Sequence, residues 1–412
     1  MPAGHAWTML LGGDVLNRLD ASESAGRVRT FRISMKFLNV QGLRAVAVLL
    51  VVMAHFHLLS TRLKIPPILD SMIPLGNWGV DLFFVISGFI MITVHWSDFG
   101  AANGSKRFLI RRVVRIIPNY WLVTLFMFAI ITLAPSMLHH WPTHANIIPS
   151  LLLFPDKNGT ILFQAWTLIY EMYFYYVFTA LLNFPRRVAL AGMGIWAMLI
   201  FAAQFFPVDS NIFWHYYLSN IILEFLVGVV AGVLIINRLF VAPIASIALG
   251  IIAVGLALAY ALHFNTTPWL GGNYRWAFVG IPMALILYGS VQLEKIGNRT
   301  FPTFMLHTGD ASYSIYLWHM ILYVVASKAL LVVARHVNIP TPILLVVIPA
   351  LVVSAGILLY RYVEVPLLRF SQRLASRLFP TLLPAERRRE SLQKAEIAGQ
   401  FMPAAAESQV HN

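Results

Sequence analysis

The residues able to do chemistry are few, and they stand where an ionisable group is costly. Arg44, Asp81, Glu171, Glu224 and Lys328, with His55 and His319 beside them, interrupt long apolar runs. At the centre of a membrane-spanning helix an Arg, Lys or Asp costs about 2.5–3.5 kcal/mol to insert. Groups kept at that cost either serve a function or pair with one another between helices. Arg44 and His55 are eleven residues apart. Eleven residues of α-helix advance about 1100°, three turns and about 20°, so both side chains leave one face of the helix. The same spacing places them about 16 Å apart along the axis. They cannot act together on one reacting atom, so one suits guiding a substrate and the other suits proton transfer. An imidazole beside a carboxylate is a general-base arrangement, because the carboxylate fixes the tautomer and stabilises the imidazolium. Asp81 and Glu171 are the expected partners of His55.

The second constellation is RRVVRIIPNYW, starting at Arg111. Arg111, Arg112 and Arg115, preceded by Lys106 and Arg107, form a cationic cluster. It reads either as anchoring to lipid headgroups or as a phosphate clamp, since the guanidinium fork matches phosphate oxygens. Pro118 suits an early helix position. His139, His140, Trp141 and His144 share one loop. They read as an interfacial aromatic belt or as part of an entrance for an acceptor. Zinc binding is a weak reading without supporting carboxylates, and no metal site is expected. No GxSxG elbow, HExxH motif or GxxxxGK[ST] loop is present, and the chain has no cysteine, which removes thiolate chemistry and disulfides.

The elements that must position these groups follow from composition. The chain of 412 residues is 59% hydrophobic and 11% charged, with mean hydropathy +0.73. Soluble domains are about 45–50% apolar and about 25% charged, so the surplus apolar surface must face lipid. The expected fold is an all-α integral membrane bundle of about ten helices. The spans are roughly 38–59, 74–95, 116–135, 165–183, 188–206, 216–236, 243–263, 275–291, 313–334 and 342–363. Residues 1–35 read as an N-terminal cytoplasmic tail or a mis-called start, 36–370 as the transmembrane domain, and 371–412 as a basic, partly helical C-terminal tail.

A sequence pI near 10.1 could suggest nucleic acid, but the cations sit in short segments between apolar runs. With the N-terminus inside, most of the 30 Lys and Arg lie on the cytoplasmic side and 4 outside, while Arg44, Arg275 and Lys328 lie within spans. That bias places both termini in the cytoplasm. On this map His55, Asp81 and Glu171 share one depth in the outer half, and Arg44 and His319 share another in the inner half.

Five blocks then resemble the acyltransferase 3 family of membrane O-acyltransferases, in the family's order, over about residues 36–370. They are QGLRAVAVLLVVMAHF from Gln41, GVDLFFVISGFIM from Gly79, RRVVRIIPNYW from Arg111, AWTLIYEMYFY from Ala165 and GDASYSIYLWH from Gly309. The branch is similar to exopolysaccharide-acetylating proteins of the ExoZ type. The resemblance implies ten spans in a bacterial inner membrane and transfer of an acyl group, commonly acetyl from acetyl-CoA, to a carbohydrate hydroxyl. Acyl-CoA would be a co-substrate, with no bound cofactor and no nucleic-acid partner. Arg44 and His55 correspond to the family's essential pair, Arg112 and Arg115 to its RxxR motif, and Glu171 to the acidic residue of the fourth-helix block. His319, Ser87, Trp166 and Tyr313 are further candidates within the matched blocks.

The expected chemistry puts donor phosphates on Arg111, Arg112 and Arg115, the thiol arm past Arg44, and the thioester near His55. His55 takes the sugar proton, oriented by Asp81 or Glu171, and Ser87 or His55 itself is the candidate carrier if an acyl-enzyme forms. The alternative class is a transporter or flippase of a lipid-linked sugar or small solute, because intramembrane charges also serve proton-coupled carriers.

Overall fold

The structure is a computed structural model that describes residues 37–56, 73–133, 145–206, 211–239, 242–263, 274–298, 300–333 and 340–383. The loop histidines His139, His140 and His144, with Trp141, lie outside the described residues. Among the described residues every regular element is helical: α1 (Leu38–Ala54), α2 (Ile73–Val94), α3 (Gly104–Leu133), the short α4 (Ile147–Leu152), α5 (Trp166–Leu181), α6 (Arg186–Ala203), the short α7 (Ile212–Tyr217), α8 (Ile221–Ile236), α9 (Pro243–His263), α10 (Ile281–Lys295), α11 (Thr303–Asp310), α12 (Ser312–Val333), α13 (Thr341–Leu359) and α14 (Val365–Leu378). Each of the ten expected apolar segments overlaps a helix. Seven helices are long and apolar enough to cross a membrane, and α1 is a shorter apolar helix. Helices are the form that satisfies every backbone group inside its own segment, which hydrocarbon demands.

Two boundaries differ from the sequence reading. The third helix starts at Gly104, well before residue 116, and runs for 30 residues. Arg and Lys are good helix formers, so the basic cluster extends the helix rather than preceding it. Pro118 therefore lies inside α3 and not at its start, where its ring and missing N–H open the helical ladder. The ninth segment begins at Thr303 as α11, is interrupted at Ala311, and continues as α12.

Packing centres on α1 and α2. The helix α2 lies against α1 on one side and α8 on the other, while α11 packs on α1, α9 on α10 and α14 on α3. An aromatic ladder crosses the bundle: Phe84 of α2 stacks on Phe225 of α8 at 4.5 Å. Phe225 stacks on Phe174 of α5 at 4.6 Å, and Phe174 on Trp196 of α6 at 6.0 Å. Offset stacking at these separations adds to plain burial. The outer faces of α6 and α9 expose Ile195, Met198 and Leu199, and Leu249, Ile252 and Leu256. Apolar faces of that extent fit a lipid surround.

The α2–α8 contact is backbone on backbone. A Cβ added at Gly88 would strike the Phe225 carbonyl, and one at Gly228 would strike the Val85 carbonyl. Small residues allow such close approach between membrane helices. Gly88→Val or Gly228→Val should therefore separate α2 from α8 and lower the unfolding temperature of the purified protein in detergent, with overpacking costing about 1–3 kcal/mol or more. Gly255→Ala is the control, because nothing lies within 4 Å of its added Cβ, and it should leave that temperature unchanged or slightly higher.

Candidate active site

Two imidazoles meet at the C-terminal end of α1. The His55 and His319 ring centroids are 4.9 Å apart and the rings stand edge to face at 63°. His319 is fully buried and His55 half-buried. His55 Nδ1 lies 2.8 Å from the Val51 carbonyl and His319 Nδ1 lies 2.6 Å from the Tyr316 carbonyl. A carbonyl oxygen can only accept, so each Nδ1 carries the proton and each Nε2 keeps its lone pair. The backbone, rather than a carboxylate, sets both tautomers. Among the described residues His319 Nε2 has no hydrogen-bond partner. The Tyr323 hydroxyl donates to the Val52 carbonyl at 2.8 Å and ties α12 to α1 beside the pair.

This pairing overturns the expected sorting by depth. His319 was placed level with Arg44 by counting from residue 313, yet the helical unit starts ten residues earlier at Thr303. His55 is 17 residues beyond Leu38, and His319 is 16 residues beyond Thr303. At about 1.5 Å per residue both rise to about the same height.

Glu171 moves the other way. It accepts hydrogen bonds from Ser87 Oγ at 3.2 Å and from the Tyr175 hydroxyl. Gly76 abuts Ala54, and Gly79 abuts the Ala47 carbonyl, so α2 runs antiparallel to α1 and Ser87 lies toward the Arg44 end. Arg112 spreads over the Phe108 ring at 5.6 Å and the Tyr175 ring at 5.5 Å, and the Glu171 charge acts on it. Arg44 is half-buried and takes Gln41 Oε1 at 3.3 Å. The charges acting on it are Arg115, Glu364, Asp310 and Glu171. Glu171 thus belongs to the arginine cluster and not to His55.

Two backbone irregularities bring acids to bear on Arg44. The α11–α12 interruption at Ala311 brings Asp310, and the π-helical segment Tyr360–Glu364 brings Glu364, to which Asn119 Nδ2 donates at 3.4 Å. In the Pro118 region of α3 the Tyr313 hydroxyl donates to the Ile116 carbonyl at 2.9 Å. Irregular backbone inside a membrane bundle is tolerated where protein covers it or where it lines a cavity, and π-segments recur at functional sites. Arg111 and Arg115 are exposed beyond this cluster. At the α2–α3 turn His95 Nδ1 meets Asp98 Oδ2 at 2.7 Å, and Arg107 approaches Asp98 Oδ1 at 3.9 Å. Burial holds the His95 pKa below its ordinary value, against the opposing pull of the Asp98 hydrogen bond.

Asp81 has a different partner from the expected one. Arg275 grips it bidentately, Nε to Oδ1 and Nη2 to Oδ2, both at 2.6 Å. Glu224 Oε1 stands 3.8 Å from the same Arg275 Nε. Neither Glu224 oxygen has a hydrogen-bond partner among the described residues. Arg275 directly precedes the π-helical segment Trp276–Gly280 that leads into α10, so the triad pins α2, α8 and α10 together. Reading along the sequence left Arg275 without a partner. The available signal was that an intramembrane guanidinium needs a carboxylate, and Asp81 and Glu224 were the candidates. Lys328 is half-buried on α12, and Trp166 is half-buried at the start of α5.

Removing one member of a buried pair strands the other charge, at about 3–5 kcal/mol. Arg275→Leu should lower the thermal stability in detergent by an amount of that order. The double variant Asp81→Leu with Arg275→Leu should recover part of it, because no unpaired charge remains beyond Glu224.

Comparison with known proteins agrees with this architecture. The acyltransferase 3 family, described as an acyltransferase domain, matches residues 37–361. Exopolysaccharide production protein ExoZ of Rhizobium meliloti (strain 1021) is 32% identical over 313 residues, covering 72% of this chain and 90% of that protein. Nodulation protein 10 of Rhizobium leguminosarum bv. viciae is 27% identical over 286 residues, 59% of this chain and 71% of that protein. Peptidoglycan O-acetyltransferase OatA of Listeria monocytogenes serovar 1/2a (strain ATCC BAA-679 / EGD-e) is 25% identical over 331 residues, 71% of this chain and 50% of that protein. No solved structure matches. A family match across most of the chain, on a multi-pass helical bundle, makes this protein a member of the acyltransferase 3 family and an O-acyltransferase.

Proposed function

We propose that the protein moves an acetyl group from acetyl-CoA at the cytoplasmic face to a hydroxyl of an exopolysaccharide carbohydrate. The observation that carries this reading is the separation of two kinds of site along α1. An imidazole whose Nδ1 is held by a backbone carbonyl stands at one end, beside a second imidazole, and a cluster of guanidiniums stands at the other. The names of the ExoZ and OatA relatives supply the carbohydrate and the acetyl group. Ten spans in a bacterial inner membrane, with both termini cytoplasmic, complete the proposal. The arginine cluster then faces the cytoplasm and the imidazole pair lies in the outer half.

In this scheme the donor diphosphate rests on Arg111, Arg112 and Arg115, whose forks suit phosphate oxygens. Glu171, held by Ser87 and Tyr175, offsets the charge of Arg44 and Arg112 and keeps the arm's path between them. The arm passes Arg44 and brings the thioester to His55. His55 Nε2 removes the acceptor hydroxyl proton as the oxygen attacks the thioester carbonyl. The tetrahedral adduct collapses, the C–S bond breaks, and the imidazolium returns the proton to the departing thiolate. The products are the sugar ester and free CoA. His319 contributes by position, its buried ring edge fixing the plane of His55. Asp81 acts through the architecture, since Arg275 occupies both its oxygens.

The test is transfer of labelled acetyl from acetyl-CoA to alkali-deacylated polysaccharide by membrane vesicles containing the protein. His55→Ala should reduce turnover by about 10²–10⁴-fold, the range that a general base contributes, with detergent stability retained. Full turnover in a folded His55→Ala protein would refute the assignment. Arg112→Leu should raise the acetyl-CoA KM more than it lowers kcat. Arg112→Lys should not restore it, because an ammonium cannot both fork onto a phosphate and lie flat over Phe108 and Tyr175.

A further inference from the structure

A row of aromatic rings spans α5 and α7, beside the α5 residues that hydrogen-bond to the His319 turn of α12. The Tyr316 backbone carbonyl receives His319 Nδ1 at 2.6 Å, and the Tyr316 hydroxyl donates to the Gln164 carbonyl at 2.8 Å and meets Thr167 Oγ1 at 2.6 Å. Gln164 Nε2 in turn donates to the Leu317 carbonyl at 2.7 Å. The N-terminal end of α5 is thereby fixed against the turn of α12 that carries His319. Trp166 starts α5 and stands edge to face on Tyr170 at 6.0 Å and 90°. Tyr170 meets Tyr216 of α7 at 4.8 Å. The neighbouring turn repeats the pattern, with Tyr173 on Tyr217 at 4.7 Å and Tyr217 stacked along Phe213.

A deliberate break in the helix puts these rings in place. The chain leaves helical order after Tyr217 and resumes it at Ile221, so α7 stands off from α8. The freed Leu218 carbonyl is satisfied by Gln204 Nε2 at 2.9 Å. Asn211 caps the start of α7 by accepting from the Phe213 N–H at 3.0 Å. A break whose polar groups are individually satisfied is a built feature, and it swings the FWHYY segment over α5.

We infer that the ring row Trp166–Tyr170–Tyr216, continued by Tyr217 and Phe213, is the platform on which the carbohydrate acceptor lies as its hydroxyl approaches His55. The inference rests on the carbohydrate acceptor proposed above and assigns it a place. A pyranose presents an apolar C–H face and a hydroxyl-bearing edge. Aromatic faces meet the first, and the side chains of His215, Asn211 and Ser219 along α7 and the break can meet the second. Tyr170 is buried beneath the row, whereas Trp166, Phe213, Tyr216 and Tyr217 are half-buried and His215 is exposed, so part of each of these outer rings is open to a ligand. An interfacial belt needs only that aromatic residues reach the headgroup level. Here the rings face one another across two helices, and the end of α5 that carries them is hydrogen-bonded through Gln164 and Thr167 to the turn of α12 that bears His319, which anchoring does not require. Acyl chains, the other occupant of such a surface, would leave the polar edge unused.

The test compares kinetics of the full-length protein in membrane vesicles, with alkali-deacylated polysaccharide from the producing cells as acceptor and labelled acetyl-CoA as donor. Tyr216→Leu and Trp166→Leu should each raise the acceptor KM about tenfold, a loss on the scale of one aromatic contact, with the acetyl-CoA KM unchanged. Tyr216→Phe keeps the ring and should stay within about twofold of the parent. The unfolding temperature in detergent reports whether each variant is folded. Equal rises in both KM values, or no rise in the acceptor KM, would overturn the platform while leaving the acyltransferase reading intact. An unmodified protein that acetylates no carbohydrate would instead sink the proposed function, and the platform with it.

Discussion

A charge enclosed in a lipid-embedded bundle has to be neutralised by something within reach, and most of this architecture follows from how each charge is answered. Asp81 is answered by Arg275 with two hydrogen bonds of 2.6 Å, and that pair fixes where the chain may enter α10. Arg44 is not given one partner. Fields from Glu364, Asp310 and Glu171 reach it from separate elements, alongside that of Arg115. A guanidinium held by distributed charge, half-buried and close to a second one, stays receptive to an incoming anion in a way the Asp81-bound Arg275 does not. Two arginines in similar surroundings thus differ through the geometry of their acids, one locked to Asp81 and the other, in the proposed reaction, left for the donor.

The same constraint explains why regular helix is abandoned where it is. The interruption at Ala311 and the π-helical turn at Tyr360–Glu364 bring the Asp310 and Glu364 charges to bear on Arg44. Each aims a polar group inward that an unbroken helix would present elsewhere. A further break between α7 and α8 turns an aromatic segment over α5. The unbroken helices α6 and α9 face outward with large apolar side chains and carry none of the candidate chemistry. Regular helix supplies the wall, and irregular backbone supplies the site.

Helix α1 joins the two halves of the chemistry. Its sequence puts Arg44 and His55 on one face with about 16 Å between them. The structure adds that each end has its own retinue, Glu171 and Arg112 near the first and His319 near the second. In the proposed reaction the donor's charged part and its reactive carbon are held apart by the length of its arm, and two separated stations suit the two. Both imidazoles are oriented by backbone carbonyls of their own helices.

What the sequence determined by itself was whatever depends on composition and local period. The membrane class, the helical segments, the shared face of Arg44 and His55 and the family blocks are all legible there. Each is a property of a single segment and its hydropathy. Pairings between segments were not legible. Asp81 and Glu171 were both assigned to His55, and His319 to the level of Arg44, because depth was counted from helix starts that hydropathy places poorly when charged residues extend a helix. Thr303 and Gly104, the true starts, lie in stretches with polar or basic residues. Helix ends and relative slide set which ionisable groups meet, and that slide is decided by close contacts such as Gly88 on Phe225 and Gly309 on Gln41. Only the assembled bundle, where each buried charge must find its counterpart in three dimensions, fixes those choices.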